Sequence, residues 1–532
     1  MFTSAKTRTL GKLLLKLETR GKNGSGRRLP LIIFSYLLTG ILLPFFLFSR
    51  NADPSGYDFA FLTFLFFSLL IAFSIISEFD NLLISRSEAE IFSSLPLDDE
   101  LIVNAKMYVL IRYLFITSLP LLIPSSIFFY FIIRSLPRAL LYFASGETMF
   151  IFLVFVLMFL YSLAVKMLKS SKLSTFTTIF QVLMIFLLIL TYQFASYSFT
   201  GKQSFSTNTF AGILNVDVLK NYLPSGWYGF IPARHKFIPD VNFIAKTVLP
   251  FLIALFSYYS LRTYLMESYP VIRERYLLSR VMYSGRGAEK SPGQGFINGL
   301  IQKVYLKNHT ESSSYNLMKS MYRSDKAVRL SILPMLVVPA ALGIFAFITD
   351  QLSSPFSNDF FSTKPVFHVS ILISVLVILN MGILGTRVTN YAGASWVYDA
   401  FPLSSKPGFI NGIRKFFVIY MVYPVCVILF VLFLFKMNFL FALLHTLFIF
   451  GCVNLYNSVF HIVKKDLPFT KDNTILNSVQ RLTSIFFPVV WGVIFVFLQV
   501  FAYRSMLLAV IAVISILTVT YWTNFFGFHR AK

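Results

Sequence analysis

The sequence is poor in acidic residues and in cysteine. Its 532 residues include 23 Asp and Glu against 47 Lys and Arg, and only 2 cysteines. Both cysteines, Cys426 and Cys452, lie inside apolar runs, so we interpret them as small buried side chains and not as a disulfide or a metal site. The net charge of +24 does not indicate a nucleic-acid partner, because no polar domain is long enough to carry a basic patch.

Nucleotide-binding and catalytic motifs are also missing from the sequence. The chain contains no G-x-x-x-x-G-K-[ST] phosphate loop, no H-E-x-x-H and no G-x-S-x-G. We therefore expect no ATP binding through a phosphate loop, no cofactor and no metal in this chain.

Apolar residues are abundant instead. The chain is 56% hydrophobic, 17% aromatic and only 13% charged, which is typical of a polytopic membrane protein. A membrane helix needs about 20 mainly apolar residues to cross the hydrocarbon core. The sequence therefore predicts an all-α membrane protein with about twelve transmembrane helices in two six-helix repeats. The predicted spans are Leu29–Phe48, Ala60–Ser77, Met107–Ile133, Thr148–Val165, Phe176–Tyr197, Ile244–Tyr264, Leu330–Ile348, Val366–Leu384, Phe416–Phe435, Phe439–Val463, Ser484–Tyr503 and Met506–Phe526.

Ionisable residues are nearly absent from these predicted spans. No Asp or Glu lies within them, and Glu147 is placed at the end of one. Because ion-coupled carriers hold their driving ion with such groups, this absence disfavours a secondary carrier. Arg112 is a cation inside the third span, and we interpret it as reaching to the membrane surface. His445 is predicted to be hydrogen-bonded between helices.

A short segment recurs, altered, after the second span of each half. Ser87 and Glu90 have the spacing of a capping box, so a short helix is predicted from Glu88 to Leu95, with its counterpart from Ala394 to Phe401. Each ends at an apolar-Pro-Leu tripeptide, because proline cannot continue a helix, and each precedes a basic residue, Lys106 or Lys415. The candidate site residues of the two segments are Glu88, Glu90, Ile91, Phe92, Pro96, Trp396, Val397, Tyr398 and Pro402.

The order of elements predicts three parts, with a six-span half at 1–264, a basic cytoplasmic linker at 265–329 and a second six-span half at 330–532. Leucines on one face of residues 10–17 predict a helix lying on the membrane surface, and a matching helix is predicted at Tyr315–Arg329. Lys and Arg are concentrated on one side of the spans, which predicts a cell-membrane protein with both termini in the cytoplasm, in contact with anionic lipids.

This plan of surface helix, two spans, short cytoplasmic helix and four further spans resembles the permease subunits of ABC-2-type exporters, once per half, as if two protomers were fused. The resemblance implies that the two recurring segments are coupling helices that dock on a separate ABC ATPase, expected in two copies, which would bind the ATP and Mg. It also implies that the turn Pro224–Tyr228 caps the export path on the outer side.

A different class of function is left open by the sequence. In this alternative the chain is a multispan envelope-biosynthesis enzyme, a glycosyl or lipid transferase, with its chemistry in the outer loop 198–243. Its candidate residues are Arg234, His235 and Asp240. Such an enzyme needs acid or base groups that converge on one cleft, and this loop offers few.

Overall fold

A computed structural model gives the architecture of the chain and describes part of its residues. The described residues are 5–19, 28–50, 56–83, 95, 97–167, 170–198, 220–233, 246, 248–267, 305–306, 308–324, 326–349, 351–352, 354–356, 365–389, 396, 398, 406–463, 467–472 and 478–529. The chain divides into two compact units, Met1–Glu289 and Lys290–Lys532.

The regular elements of the first unit are all helices in its described part. These helices are α1 (Ala5–Thr19), α2 (Arg28–Arg50), α3 (Gly56–Leu83), α4 (Asp99–Ile133), α5 (Leu136–Met167), α6 (Ser170–Ser198), α7 (Pro224–Ala233) and α8 (Val248–Glu267). Helix α4 packs against α1, α2, α3 and α5, and α3 packs against α6 and α7. The buried core of this unit therefore surrounds α3 and α4, where phenylalanines such as Phe59, Phe64 and Phe67 are completely enclosed.

The second unit repeats much of this packing. Its helices are α9 (His309–Ser324), α10 (Lys326–Ile348), α11 (Pro365–Arg387), α12 (Lys406–Leu434), α13 (Phe439–Val463), α14 (Ser478–Ala502) and α15 (Met506–His529). Two-residue strands β1 (Val388–Thr389) and β2 (Lys471–Asp472) pair in parallel. The amphipathic helix α9 packs on α12 as α1 packs on α4, and α11 packs on α14 as α3 packs on α6. Both cysteines are free and buried, as expected for small apolar side chains.

The all-α multispan fold predicted from the sequence is confirmed. Among the described residues, nine helices are long and apolar enough to cross a membrane: Gly56–Ile76, Asp99–Ile133, Leu136–Tyr161, Phe176–Gln193, Val248–Glu267, Phe367–Thr386, Lys406–Leu434, Phe439–Val463 and Met506–Phe528. Shorter apolar helical stretches, Ile33–Phe45, Leu336–Ile348 and Phe487–Ala502, lie at the other three predicted positions. The total of twelve spans and the division at residues 264 and 330 stay predictions.

Three expectations about element boundaries were wrong. The fourth predicted span begins at Leu136 and not at Thr148, so Glu147 lies inside an apolar helix and the expectation of acid-free spans fails. The predicted Tyr315–Arg329 helix instead runs from His309 to Ser324, with Tyr315 buried on it and packed against Phe416 of α12. Pro224–Tyr228, predicted as a turn, belongs to a ten-residue helix that packs against α3 and α5 with Tyr228 buried, and its role as a cap of the export path stays a prediction.

Candidate functional site: a buried ionic cluster between α9 and α12

The site begins with a close approach of two helices. The start of α12 carries Pro407 at a helix N-terminus, where its fixed φ is favourable, followed by Gly408 and Gly412 one turn apart. A Cβ atom at Gly412 would collide with the Ser314 hydroxyl and with the backbone carbonyl oxygen of Glu311. The absence of a side chain at this position therefore lets α9 lie directly on α12.

This close approach encloses a carboxylate. Glu311 is in the first turn of α9 and is only 1% exposed. Its Oε2 accepts a hydrogen bond from Lys415 Nζ at 2.6 Å, and its Oε1 accepts one from Asn411 Nδ2 at 2.7 Å. Lys415 also donates to the backbone carbonyl of Tyr305 at 2.7 Å. A buried charge is tolerated only when it is paired and fully hydrogen-bonded, and both carboxylate oxygens satisfy that condition.

A second cation completes the cluster. The Arg414 guanidinium donates from Nε to Asn411 Oδ1 at 3.0 Å, and from Nη1 to Asn454 Oδ1 at 3.2 Å and Ser458 Oγ at 3.4 Å. Its Cζ atom also lies 5.8 Å from the centroid of the Phe528 ring. Arg414 thus joins α12 to α13 and α15, while Lys415 joins α12 to α9. We call Tyr305, Glu311, Asn411, Arg414 and Lys415 the ionic cluster.

The chemistry available to the ionic cluster is structural and not catalytic. Glu311 has both oxygens occupied by a lysine and an amide, so it has no free base to offer to a substrate. Burial raises the pKa of the Tyr305 phenol, and the nearby Arg414 guanidinium opposes part of that effect. The phenol therefore stays neutral at physiological pH. The cluster fixes the position of one helix on another.

A π-helical turn follows the ionic cluster directly. Residues Val418–Val422 of α12 form this turn, and Pro424 follows it. Proline lacks an N–H and its ring crowds the preceding turn, and a π turn is one way to accommodate such a break. Because π turns are often found at functional sites, the arrangement marks this part of α12 as a place where the helix can change its winding.

Two of the predicted coupling residues lie shortly before the start of α12. Trp396 is 60% exposed, and the ring of Tyr398 lies edge-on to Phe409 of α12 with centroids 5.9 Å apart. Burial raises the pKa of Tyr398 to about 12. The remaining candidates lie outside the described residues, so their geometry stays untested: Glu88, Glu90, Ile91, Phe92, Pro96, Val397 and Pro402.

Other predicted side chains have clear positions. Arg112 is exposed and its Cζ lies 5.6 Å from the Tyr108 ring centroid, as expected for a side chain that reaches out of the helix bundle. His445 is hydrogen-bonded between helices, as predicted, with His368 Nδ1 at 3.0 Å from its Nε2 and Tyr503 Oη at 2.6 Å from its Nδ1. The residues of the alternative outer-loop enzyme, Arg234, His235 and Asp240, lie outside the described part of the chain.

Sequence reasoning identified Lys415 but not its partner. Glu311 is separated from Lys415 by more than 100 residues, and nothing in the local pattern of α9 links the two. Asn411, Arg414 and Lys415 are spaced i, i+3 and i+4, which places them on one face of a helix. This spacing in the sequence could have predicted a polar face on α12.

Comparison of the chain with protein-family models, with curated proteins and with solved structures finds no match.

Proposed function

We propose that this chain is the transmembrane permease subunit of an ATP-driven exporter and that it relies on a separate ABC-type ATPase. The observation that carries the proposal is the connection from Trp396 and Tyr398 to α12. Trp396 is exposed and lies close in sequence to Tyr398, which packs on Phe409, so the segment offers a partner protein an aromatic binding surface. The ionic cluster in turn holds α12 to α9. Movement imposed on this segment would therefore be transmitted to a membrane helix.

The same plan in the first unit supports two docking points. There α1 packs on the start of α4, and the segment 88–95 precedes that helix along the chain. Two matching segments suit two copies of an ATPase, each contributing its own ATP and Mg. In this proposal the recurring segments and both termini face the cytoplasm, and the chain resides in the cell membrane among anionic lipids.

The experiment is co-purification of the chain with its ATPase. Aromatic anchors buried in a partner pocket commonly lose more than about 2 kcal/mol of binding free energy when cut to alanine, which loosens a complex more than tenfold. We expect Phe92→Ala combined with Trp396→Ala to weaken ATPase association and transport while insertion into the membrane is unchanged.

The matched control is Trp522→Ala. Trp522 lies on α15 within a candidate membrane span and is 57% exposed, nearly as much as Trp396. This variant should insert normally and keep the partner. If the double variant inserts normally and retains both its partner and its activity, these aromatics are only interfacial anchors and the coupling role is refuted.

A further inference from the structure

Glu147 is a carboxyl group inside a candidate membrane span of the first unit. It belongs to the apolar helix segment Leu136–Tyr161 and is 7% exposed. Counted from Leu136 at about 1.5 Å per residue, it lies roughly 16 Å along an apolar helix segment that is roughly 39 Å long, well away from both ends. Ionisable groups at such a depth are costly and are usually functional.

The Ser118 hydroxyl is hydrogen-bonded to this carboxyl group. Ser118 Oγ on α4 lies 2.8 Å from Glu147 Oε1 and 3.0 Å from Oε2. Within the part of the chain that the structure describes, Ser118 supplies the only hydrogen bonds to Glu147, and no Lys, Arg or His pairs with it. The site therefore differs from Glu311, whose charge is neutralised by Lys415.

Several ionisable groups on the helices packed against α5 pair with groups other than Glu147. Asp58 pairs with Lys220 at the start of α3, and Arg262 of α8 pairs with Glu100. Arg112 precedes Ser118 on α4 by six residues, about 9 Å along the axis. The other groups on these helices whose side chains the structure describes are Tyr57 of α3, Asp99, Lys106, Tyr108, Tyr113 and Tyr130 of α4, Arg138, Tyr142 and Tyr161 of α5, Tyr192 of α6, Tyr228 of α7, and Tyr258, Tyr259, Tyr264 and Glu267 of α8.

Ser118 can serve both charge states of the carboxyl group. When Glu147 is ionised, the hydroxyl donates to a carboxylate oxygen. When Glu147 is protonated, the acid can donate to Ser118 Oγ, and the hydroxyl can turn its own hydrogen toward the backbone carbonyl of Phe115, 3.4 Å away. An ionised carboxylate without a cation costs several kcal/mol in an apolar surrounding, so the protonated form is favoured while the site is closed.

We propose that Glu147 and Ser118 form an intramembrane proton-binding site. The carboxylate takes up one proton from the aqueous phase to become a neutral carboxylic acid, and releases the same proton when water or a cation reaches it. The site does not depend on an ATPase partner. It places in the first unit an ionisable group of the kind whose absence from the predicted spans had disfavoured an ion-coupled carrier.

The test is infrared titration of the full chain reconstituted in lipid, in which a protonated carboxyl group gives a C=O stretching band. We expect such a band at neutral pH in the natural protein and its loss in Glu147→Gln. Glu100→Gln is the matched control, because Glu100 is exposed and paired with Arg262, and it should leave the band unchanged. Ser118→Ala should keep the band, shift it to higher frequency and move its disappearance to higher pH, since the carboxylate loses its donor.

Two outcomes would overturn the proposal. If the natural protein and Glu147→Gln have the same carboxylic-acid bands at neutral pH, Glu147 is ionised and holds no proton. If sodium chloride removes the band at constant pH while choline chloride at equal ionic strength does not, the occupant is a small metal cation. Should Glu147→Gln fail to fold, the frequency shift in Ser118→Ala decides the question, and an unshifted band refutes the site.

Discussion

Each unit packs an amphipathic helix on the start of a long membrane helix, and the residues at one point of close approach differ between the two units. In the first unit, Gly11 of α1 lies against the ring of Tyr108, and Leu14 is buried. In the second, Glu311 of α9 is bonded to Lys415 of α12. An apolar contact tolerates small shifts, whereas a buried ion pair is favourable only where the two charges meet. The contact at Gly11 and Leu14 should therefore tolerate small shifts better than the contact at Glu311 and Lys415.

The largest expected effect comes from removing the lysine of the ionic cluster. Lys415→Met leaves Glu311 buried without its cation, which should lower the free energy of unfolding by about 3–5 kcal/mol. Unfolding of the purified protein in mixed micelles measures this. Arg112→Met, at an exposed cation on the first unit's long helix, should change stability by less than about 0.5 kcal/mol.

A second variant shows whether that loss comes from the unpaired charge. Combining Glu311→Gln with Lys415→Met removes both charges and should recover most of the lost stability. Equal effects of Lys415→Met and Arg112→Met would show that the contact is not ionically fixed.

The next effect concerns the buried polar chain of the second unit. His445→Phe removes the hydrogen bonds to both His368 and Tyr503, so we expect a loss of roughly 2 kcal/mol or more in unfolding free energy. In the first unit, Tyr142→Phe removes the hydroxyl that hydrogen-bonds to Thr63 at 2.7 Å and also interacts with Ser125, and should cost about 1 kcal/mol. The same unfolding assay ranks the two, and a reversed order contradicts the interpretation.

Adding one methyl group at each helix contact tests the comparison directly. In Gly412→Ala the new Cβ meets the Glu311 carbonyl, which is backbone, so α9 must move and about 1–3 kcal/mol is lost. In Gly11→Ala the new Cβ meets only the Tyr108 side chain, which can turn aside, so the loss should be smaller. Protease accessibility of α9 and α1 reports the displacement. Equal exposure of both helices would argue that the two contacts are equally tolerant.

The smallest effect is a pH dependence at Tyr398. Because its folded pKa is raised to about 12, the stability gained by keeping the phenol neutral is complete below its ordinary value of about 10 and is lost as the pH rises towards 12. Ultraviolet titration near pH 11 should show fewer phenolates in the natural protein than after unfolding, because Tyr398 and other buried tyrosines such as Tyr305 stay protonated. Tyr398→Phe should reduce that difference by one phenolate. A normal titration of Tyr398 would mean that its contact with Phe409 does not persist.

The sequence predicted those features that depend on one helix alone. Apolar runs placed the long helices, and the position of Lys415 beside the start of a span marked one end of the ionic cluster. Glu311 could not be predicted as its partner, because the pair is made by packing between residues far apart in the chain. The predicted span began at Thr148 because a charged residue was expected to lie outside the span. Glu147 lies inside the helix instead, where the Ser118 hydroxyl donates a hydrogen bond to it.

Because α4 is longer than the membrane is thick, part of this helix must be accessible to water-soluble reagents. Its 35 residues extend about 52 Å, while the hydrocarbon core is about 30 Å thick. Even at a tilt of about 40°, near the upper limit for membrane helices, roughly 10 Å of this helix must lie outside the hydrocarbon. Asp99 and Glu100 stand at one end, and Glu100 is exposed beside Arg262. If this end is the one that projects, the exposed Glu100 carboxylate lies in water, and water-soluble carboxyl reagents should modify it while the lipid bilayer remains intact.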